Sequence, residues 1–188
     1  KITITFGDRS GGSPGMRLQT FCEDSYEFHT LIDPIATYCY QPMPVQPVIK
    51  IIPGKPDRYL AVAPTIRAID ESFSIKFKGE DKWGNPSDQC DIQLYPHASH
   101  PVKHLPSMIS LKPGEFFGVI DGLSVADIAD FHIDFLDDAG AVMCWTNPIR
   151  IEPAPLSRHF WGDLHGQSEE TIGTGSAEAY FAFARDYA

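Results

Sequence analysis

Asp163 and His165 stand two positions apart in an apolar run carrying Phe160, Trp161 and Leu164, and Gln167 follows two positions later. Alternate side chains of a strand share a face, so Asp163, His165 and Gln167 would project together if this run is extended. Gly166 between them leaves room for a close approach. Imidazole and carboxylate are ligands for a divalent cation: His165 would bind the metal, and Asp163 would bind it or orient the ligand. A metal lowers the pKa of bound water enough to give hydroxide near neutral pH, and that hydroxide attacks a phosphoester or similar centre. Asp163 and Gln167 are the candidate catalytic side chains; His165 and Asp163 are the candidate metal ligands. The same residues also fit a hydrogen-bonded polar pair at a strand end, with Gln167 and Ser168 capping a turn, and their types and spacing leave both readings open. A loop rich in Gly, Thr and Ser follows, then a helix from about Ala177. Strand, polar cluster, loop and helix is how the first βα unit of an α/β barrel presents catalytic groups at its mouth.

WGDLHGQS, the Ser/Thr/Gly loop and AYFAFARDYA resemble the opening motif of the PHP (polymerase and histidinol phosphatase) superfamily. More closely, they resemble a bacterial family of unknown function that carries a PHP-like domain behind a β-rich N-terminal region. The motif there is Asp-Leu-His-x-His-Thr on the first barrel strand, with both histidines on metal. The resemblance implies that His165 is the first histidine and Asp163 the acid before it. Gln167 stands where the second histidine falls. A neutral amide is a poor substitute for imidazole on zinc, manganese or iron, a departure that counts against a fully loaded cluster and leaves a variant site with fewer metals. DKWGNPSD and TNPIRIEP are weaker points of likeness upstream. By this resemblance the longer protein is a metal-dependent, phosphoesterase-like hydrolase. The 188-residue chain would be its N-terminal part, inactive alone and without a tightly bound metal.

Other clusters read more plainly. Glu169 and Glu170 are adjacent in a polar loop, where solvation is the expected fate. His97, His100 and His104 have the spacing of half a zinc site, but Pro96, Pro101 and Pro106 make the stretch an exposed loop. Asp130, Asp134, Asp137 and Asp138 lack the regular spacing of a calcium loop and suit hairpin turn chemistry. DRSGGSPG matches neither phosphate-loop pattern. Cys22, Cys39, Cys90 and Cys144 show no metal spacing and read as reduced, with Cys90 and Cys144, both on predicted strands, the one pair to watch.

A net charge of -10 argues against nucleic acid or an anionic membrane surface as partner. No apolar run reaches the ~20 residues that a membrane helix needs. Lys1 opens the chain on KITITF without an initiator methionine or signal peptide, so a fragment or processed chain is expected; the compartment stays open, with a lean to the cytoplasm.

Sixteen prolines and fifteen glycines favour short strands and turns over long helices. Residues 1–55 read as a broken β-rich segment, with strands at KITITF, MRLQTF, TYCYQPM and PVIKIIPG. Residues 56–153 carry about seven short strands, an immunoglobulin-like antiparallel β-sandwich in pattern. Phe73, Ile75 and Phe77 alternate with polar residues, as do Phe131, Ile133 and Phe135, and DDAG marks a hairpin turn. Residues 154–188 are the linker and the first strand and helix of the truncated barrel, with Ser176 as N-cap and Tyr180, Phe183, Ala184 and Tyr187 as an apolar stripe. The expected partners are the remainder of that barrel, a small-molecule substrate of unknown identity, and a second copy of the chain through the exposed aromatic stripe. The alternative reading is a non-enzymatic sandwich module that binds carbohydrate or protein.

Overall fold

The computed structural model describes residues 3–155, 157, 166–173 and 175–186. It is mainly β and divides into two compact units, Lys1–Ile52 and Pro53–Ala188. In the first unit β1 (Glu23–Glu27) lies between the loop that precedes it and β2 (Leu31–Ile32), and is followed by β3 (Gln41–Pro42) and β4 (Val48–Ile51). Two antiparallel ribbons result, β1–β4 and β2–β3. None of its described residues is buried. KITITF and MRLQTF, read as strands from their alternation, carry no strand over the described positions. Alternation selects a strand only where one face is covered, and here neither is. Local bonds shape this unit instead. Asp33 accepts the N–H groups of Ile35, Thr37 and Tyr38 at 2.6–3.4 Å, and Phe28 packs on Phe6 and Tyr26.

The second unit holds β5 (Arg58–Val62), β6 (Ile66–Ala68), β7 (Phe73–Glu80), β8 (Ile92–Ala98), β9 (Ile109–Leu111), β10 (Phe117–Leu123), β11 (Ala129–Phe131), β12 (Ile133–Leu136), β13 (Val142–Trp145), β14 (Ile149–Glu152) and helix α1 (Ala177–Asp186). Its sheets run β10–β7–β5, β13–β12–β8–β9 and β11–β14–β6. Every pairing is antiparallel except β14 with β6.

Phe73, Ile75 and Phe77 bury one face of β7, while Ser74 and Lys76 between them are exposed. Ile133 and Phe135 do the same from β12. The two sheets meet where the Phe77 and Phe135 rings stack, centroids 6.3 Å apart and 22° from parallel. Leu94, Leu111, Ile120, Leu123, Ile149 and Ile151 complete one continuous core. Gly118 pairs directly with Phe77, and a Cβ there would lie 2.2 Å from the end of its ring. Glycine at 118 is therefore the space into which Phe77 extends.

The long hairpin around DDAG is interrupted once on each arm, between β11 and β12 and between β13 and β14. At the break Thr146, fully buried, accepts the Ile133 N–H through Oγ1 at 3.1 Å and donates its own N–H to the Ile133 carbonyl at 2.9 Å. Asn147 Oδ1 accepts the Ala63 N–H at 2.9 Å. Ala63 precedes Pro64, where the chain leaves β5 in one sheet to enter β6 in another; Pro64 offers no N–H to either ladder. TNPIRIEP thus joins β12, β13 and the β5–β6 crossover.

DKWGNPSD has a comparable task. Asp81, 4% exposed, accepts the N–H groups of Gly54 (3.0 Å), Trp83 (2.9 Å) and Asn85 (3.0 Å), and the Asn85 amide on both oxygens. Ser87 Oγ donates to the Gly54 carbonyl and Gln89 Nε2 to the Pro53 carbonyl, both at 2.6 Å. Burial pushes the Asp81 carboxyl up, but these donors outweigh it and hold it below the usual carboxylate range.

Gly118→Ala is expected to destabilise the protein by about 1–3 kcal/mol, because an overpacked core displaces Phe77; chemical unfolding of the variant measures it. Asp81→Asn should cost about 1–3 kcal/mol at neutral pH. The folded pKa lies below the unfolded one, so this stabilisation is present above roughly pH 4 and is lost as pH falls through the folded value. Urea midpoints of wild type and variant should therefore differ at pH 7 and converge towards pH 3; a constant gap would refute the assignment.

Candidate functional site

Asp163 and His165 lie outside the described residues. Gln167 is described, in the irregular stretch that leads from Gly166 into the loop before α1. Gly166 faces α1: a Cβ there would lie 2.5 Å from the Tyr180 ring and hydroxyl. The space beside Gly166 is filled by the Tyr180 ring end, which is the close approach made there. The loop closes on itself. Glu169 N–H donates to the Gly175 carbonyl at 2.8 Å, and the Thr171 and Gly173 N–H groups donate to the Ser168 carbonyl at 2.8 and 2.9 Å. Gly173 sits against the Gln167 carbonyl, where a Cβ would come within 2.7 Å.

Ser176 caps α1 as its type and place predict, accepting the Ala179 N–H at 3.1 Å. Glu178 in the first turn and Arg185 in the last complement the helix dipole. Lys76 of β7 donates to the Arg185 carbonyl at 2.8 Å, a cation at the negative end of the helix. Phe181 and Phe183 are exposed, at 69% and 47%, and Ile172 at 81%. Glu169 and Glu170 are both exposed to solvent.

The histidine stretch corrects the sequence reading. Pro96 and His97 belong to β8, which pairs with β12 as far as Ala98. The proline is accommodated because β9 pairs with β8 only from Ile92 to Leu94, so beyond Tyr95 one side of β8 has no partner strand. His100 packs on Phe131, ring centroids 5.8 Å apart, with Nε2 buried and unpartnered; His104 is exposed in a turn. The three therefore diverge.

The aspartates do turn and pairing work. Asp130 binds Arg150 at 2.9 and 3.3 Å. Asp137 Oδ1 accepts the N–H groups of Ala139 and Ala141 at 3.0 and 2.8 Å, closing the DDAG hairpin. Asp134 meets His132 at 3.3 Å and stands directly across from Trp145 on one side and His97 on the other. That cross-strand row has no trace in the sequence, where its members lie far apart. As the side chains are oriented, no three His, Cys, Asp or Glu groups among the described residues stand close enough to hold a metal ion.

None of the four cysteines is in a disulfide, and Cys90 falls two residues before β8 instead of within a strand. It packs against Gly79, where a Cβ would lie 2.4 Å from its sulfur. Burial pushes the Cys90 thiol up, and it pushes Cys144 up to about 12, with the Asp134 carboxylate adding to the effect. Both shifts favour the thiol over the thiolate that nucleophilic or metal chemistry requires. No helix among the described residues is long and apolar enough to cross a membrane.

A thiol reagent should label Cys22 and Cys39 in the folded protein, and Cys90 and Cys144 only once it unfolds; rapid labelling of a third thiol would contradict the burial assigned to them. The chain matches no protein-family model and no curated protein.

Proposed function

We propose that this chain is the N-terminal part of a metal-dependent hydrolase, phosphoesterase-like in chemistry, whose PHP-like α/β barrel begins at WGDLHGQS. The observation that carries the reading is local. The helix expected after the motif is there, capped by Ser176, and its Tyr180 occupies the space that Gly166 leaves open. A first βα unit would need such a contact between the end of its strand and the helix that follows. In this reading His165 and Asp163 hold a divalent zinc, manganese or iron ion. That ion would supply hydroxide from bound water and polarise a phosphoryl oxygen. Gln167 would line the mouth as a hydrogen-bonding side chain and would hold the substrate beside the metal.

The sandwich serves as an accessory that the barrel packs against. Its strand order supports an immunoglobulin-like relationship: β5, β7 and β10 take the places of strands A, B and E, and β9, β8, β12 and β13 those of C′, C, F and G. The exposed Phe181, Phe183 and Ile172 are the surface that the remainder of the barrel would cover, and in its absence a second copy. A net charge of -10 favours a small-molecule substrate over nucleic acid or an anionic membrane.

A second reading, a sandwich module that binds carbohydrate or protein without catalysis, draws on one observation. The outward face of β13, β12 and β8 carries Trp145, 63% exposed, with Val142 and Tyr95.

The longer protein that this reading implies should carry transition metal in stoichiometric amount per chain, and His165→Ala should lower it. The 188-residue chain alone should turn over no phosphoester. A well-folded longer protein without metal would sink the hydrolase and leave the binding module.

A further inference from the structure

His132 and Asp134 flank buried Ile133, so both project from the same outward face of the sheet, and their side chains meet at 3.3 Å. On β8, His97 is the direct cross-strand partner of Asp134. Directly opposed residues of an antiparallel pair hold their Cβ atoms about 4.5–5.5 Å apart. An imidazole at one position therefore reaches a metal bound by a carboxylate at the other. The His97 side chain is exposed and makes no hydrogen bond or ion pair among the described residues, so turning its ring breaks nothing. Two residues at i and i+2, with a third across from one of them, give three ligands on one rigid face.

We propose that His132, Asp134 and His97 form a site for a divalent transition metal of the zinc class, separate from the tail cluster and independent of the hydrolase reading. Two imidazoles and a carboxylate suit zinc, with copper and nickel as competitors, and do not suit calcium or magnesium. The ligands come from two neighbouring strands that a rigid core supports, since Ile133 and Phe135 beneath them are fully buried. Three protein ligands leave the fourth tetrahedral position open. Of the three, His97 also lines a cleft of about 450 Å³ with Tyr95, Leu136 and Asp138. His132 bonds to Asp134 and His97 is exposed, so the three groups converge once the His97 ring rotates towards Asp134.

The test uses the 188-residue chain without an affinity tag and carrying His165→Ala, so that the tail cluster cannot contribute. Calorimetry with zinc and the visible spectrum of bound cobalt read the site. The expected result is one equivalent of metal with a tetrahedral cobalt spectrum. His97→Ala, His132→Ala and Asp134→Asn should each weaken zinc by more than about tenfold, while His104→Ala changes nothing. All four positions lie outside the core, so urea midpoints without metal should match the parent's and certify folding. Absence of zinc binding in the His165→Ala chain, or binding that His97→Ala leaves intact, would overturn the proposal. Loss of metal from the longer protein on His165→Ala bears only on the hydrolase.

Discussion

The second unit depends on one contact layer, in which Phe77 of β7 lies over Gly118 and against Phe135 of the opposing sheet. A sandwich core is a single thickness of interdigitated side chains. A ring of that size needs a neighbour that gives up its own volume, and Gly118 does so. The rest of the core fills in around this pair: Ile75 and Phe73 along β7, Ile133 along β12, Ile120 and Leu123 along β10. The first unit has no such layer and no buried residue among those described, and its short ribbons rest on turns and on the Phe6, Tyr26 and Phe28 contacts.

Polar groups do their structural work where the layers must be joined. Thr146 and Asn147 supply side-chain oxygens to backbone donors that a break in the ladder would strand, and a buried N–H without a partner is costly. Asp81 gathers three backbone donors and an amide around one carboxylate. Arg58 and Lys78 converge on Glu80, which is itself nearly buried, at 2.6 and 3.3 Å. These are the conspicuous polar stretches of the sequence, and within the sandwich they serve the scaffold.

Much of the β-rich architecture of the second unit was legible from pattern alone. The alternation of β7, the DDAG turn and the capped helix all depend on neighbours within a few residues, and each stands where expected. What depends on register was hidden. Nothing near Pro96 announces that β8 continues through it, because the tolerance comes from the absence of a β9 partner at that level. Nothing near Ile66 announces its parallel pairing with Arg150. Cys90 has a strand-like neighbourhood but is held off the strand by Ser87, whose carbonyl accepts its thiol. Beside the candidate site, the space at Gly166 is filled from the helix by Tyr180, a contact that the spacing of the motif does not name. The row of Trp145, Asp134 and His97 needed three strands in register, which no local spacing encodes.

The parallel pairing of β6 with β14 has a mechanical consequence. The two strands run in the same direction, side by side, from Ile66–Arg150 to Ala68–Glu152, and bonds from Arg150 to Thr65 and from Ile69 to Glu152 extend the ladder at both ends. Tension applied to the chain before β6 and after β14 pulls these strands past one another along their length. The hydrogen bonds between them then bear load together, in shear, instead of opening one at a time as a peeled hairpin does. Load entering the chain at Glu152 is therefore carried in shear by the β6–β14 ladder before it reaches the Phe77–Phe135 layer.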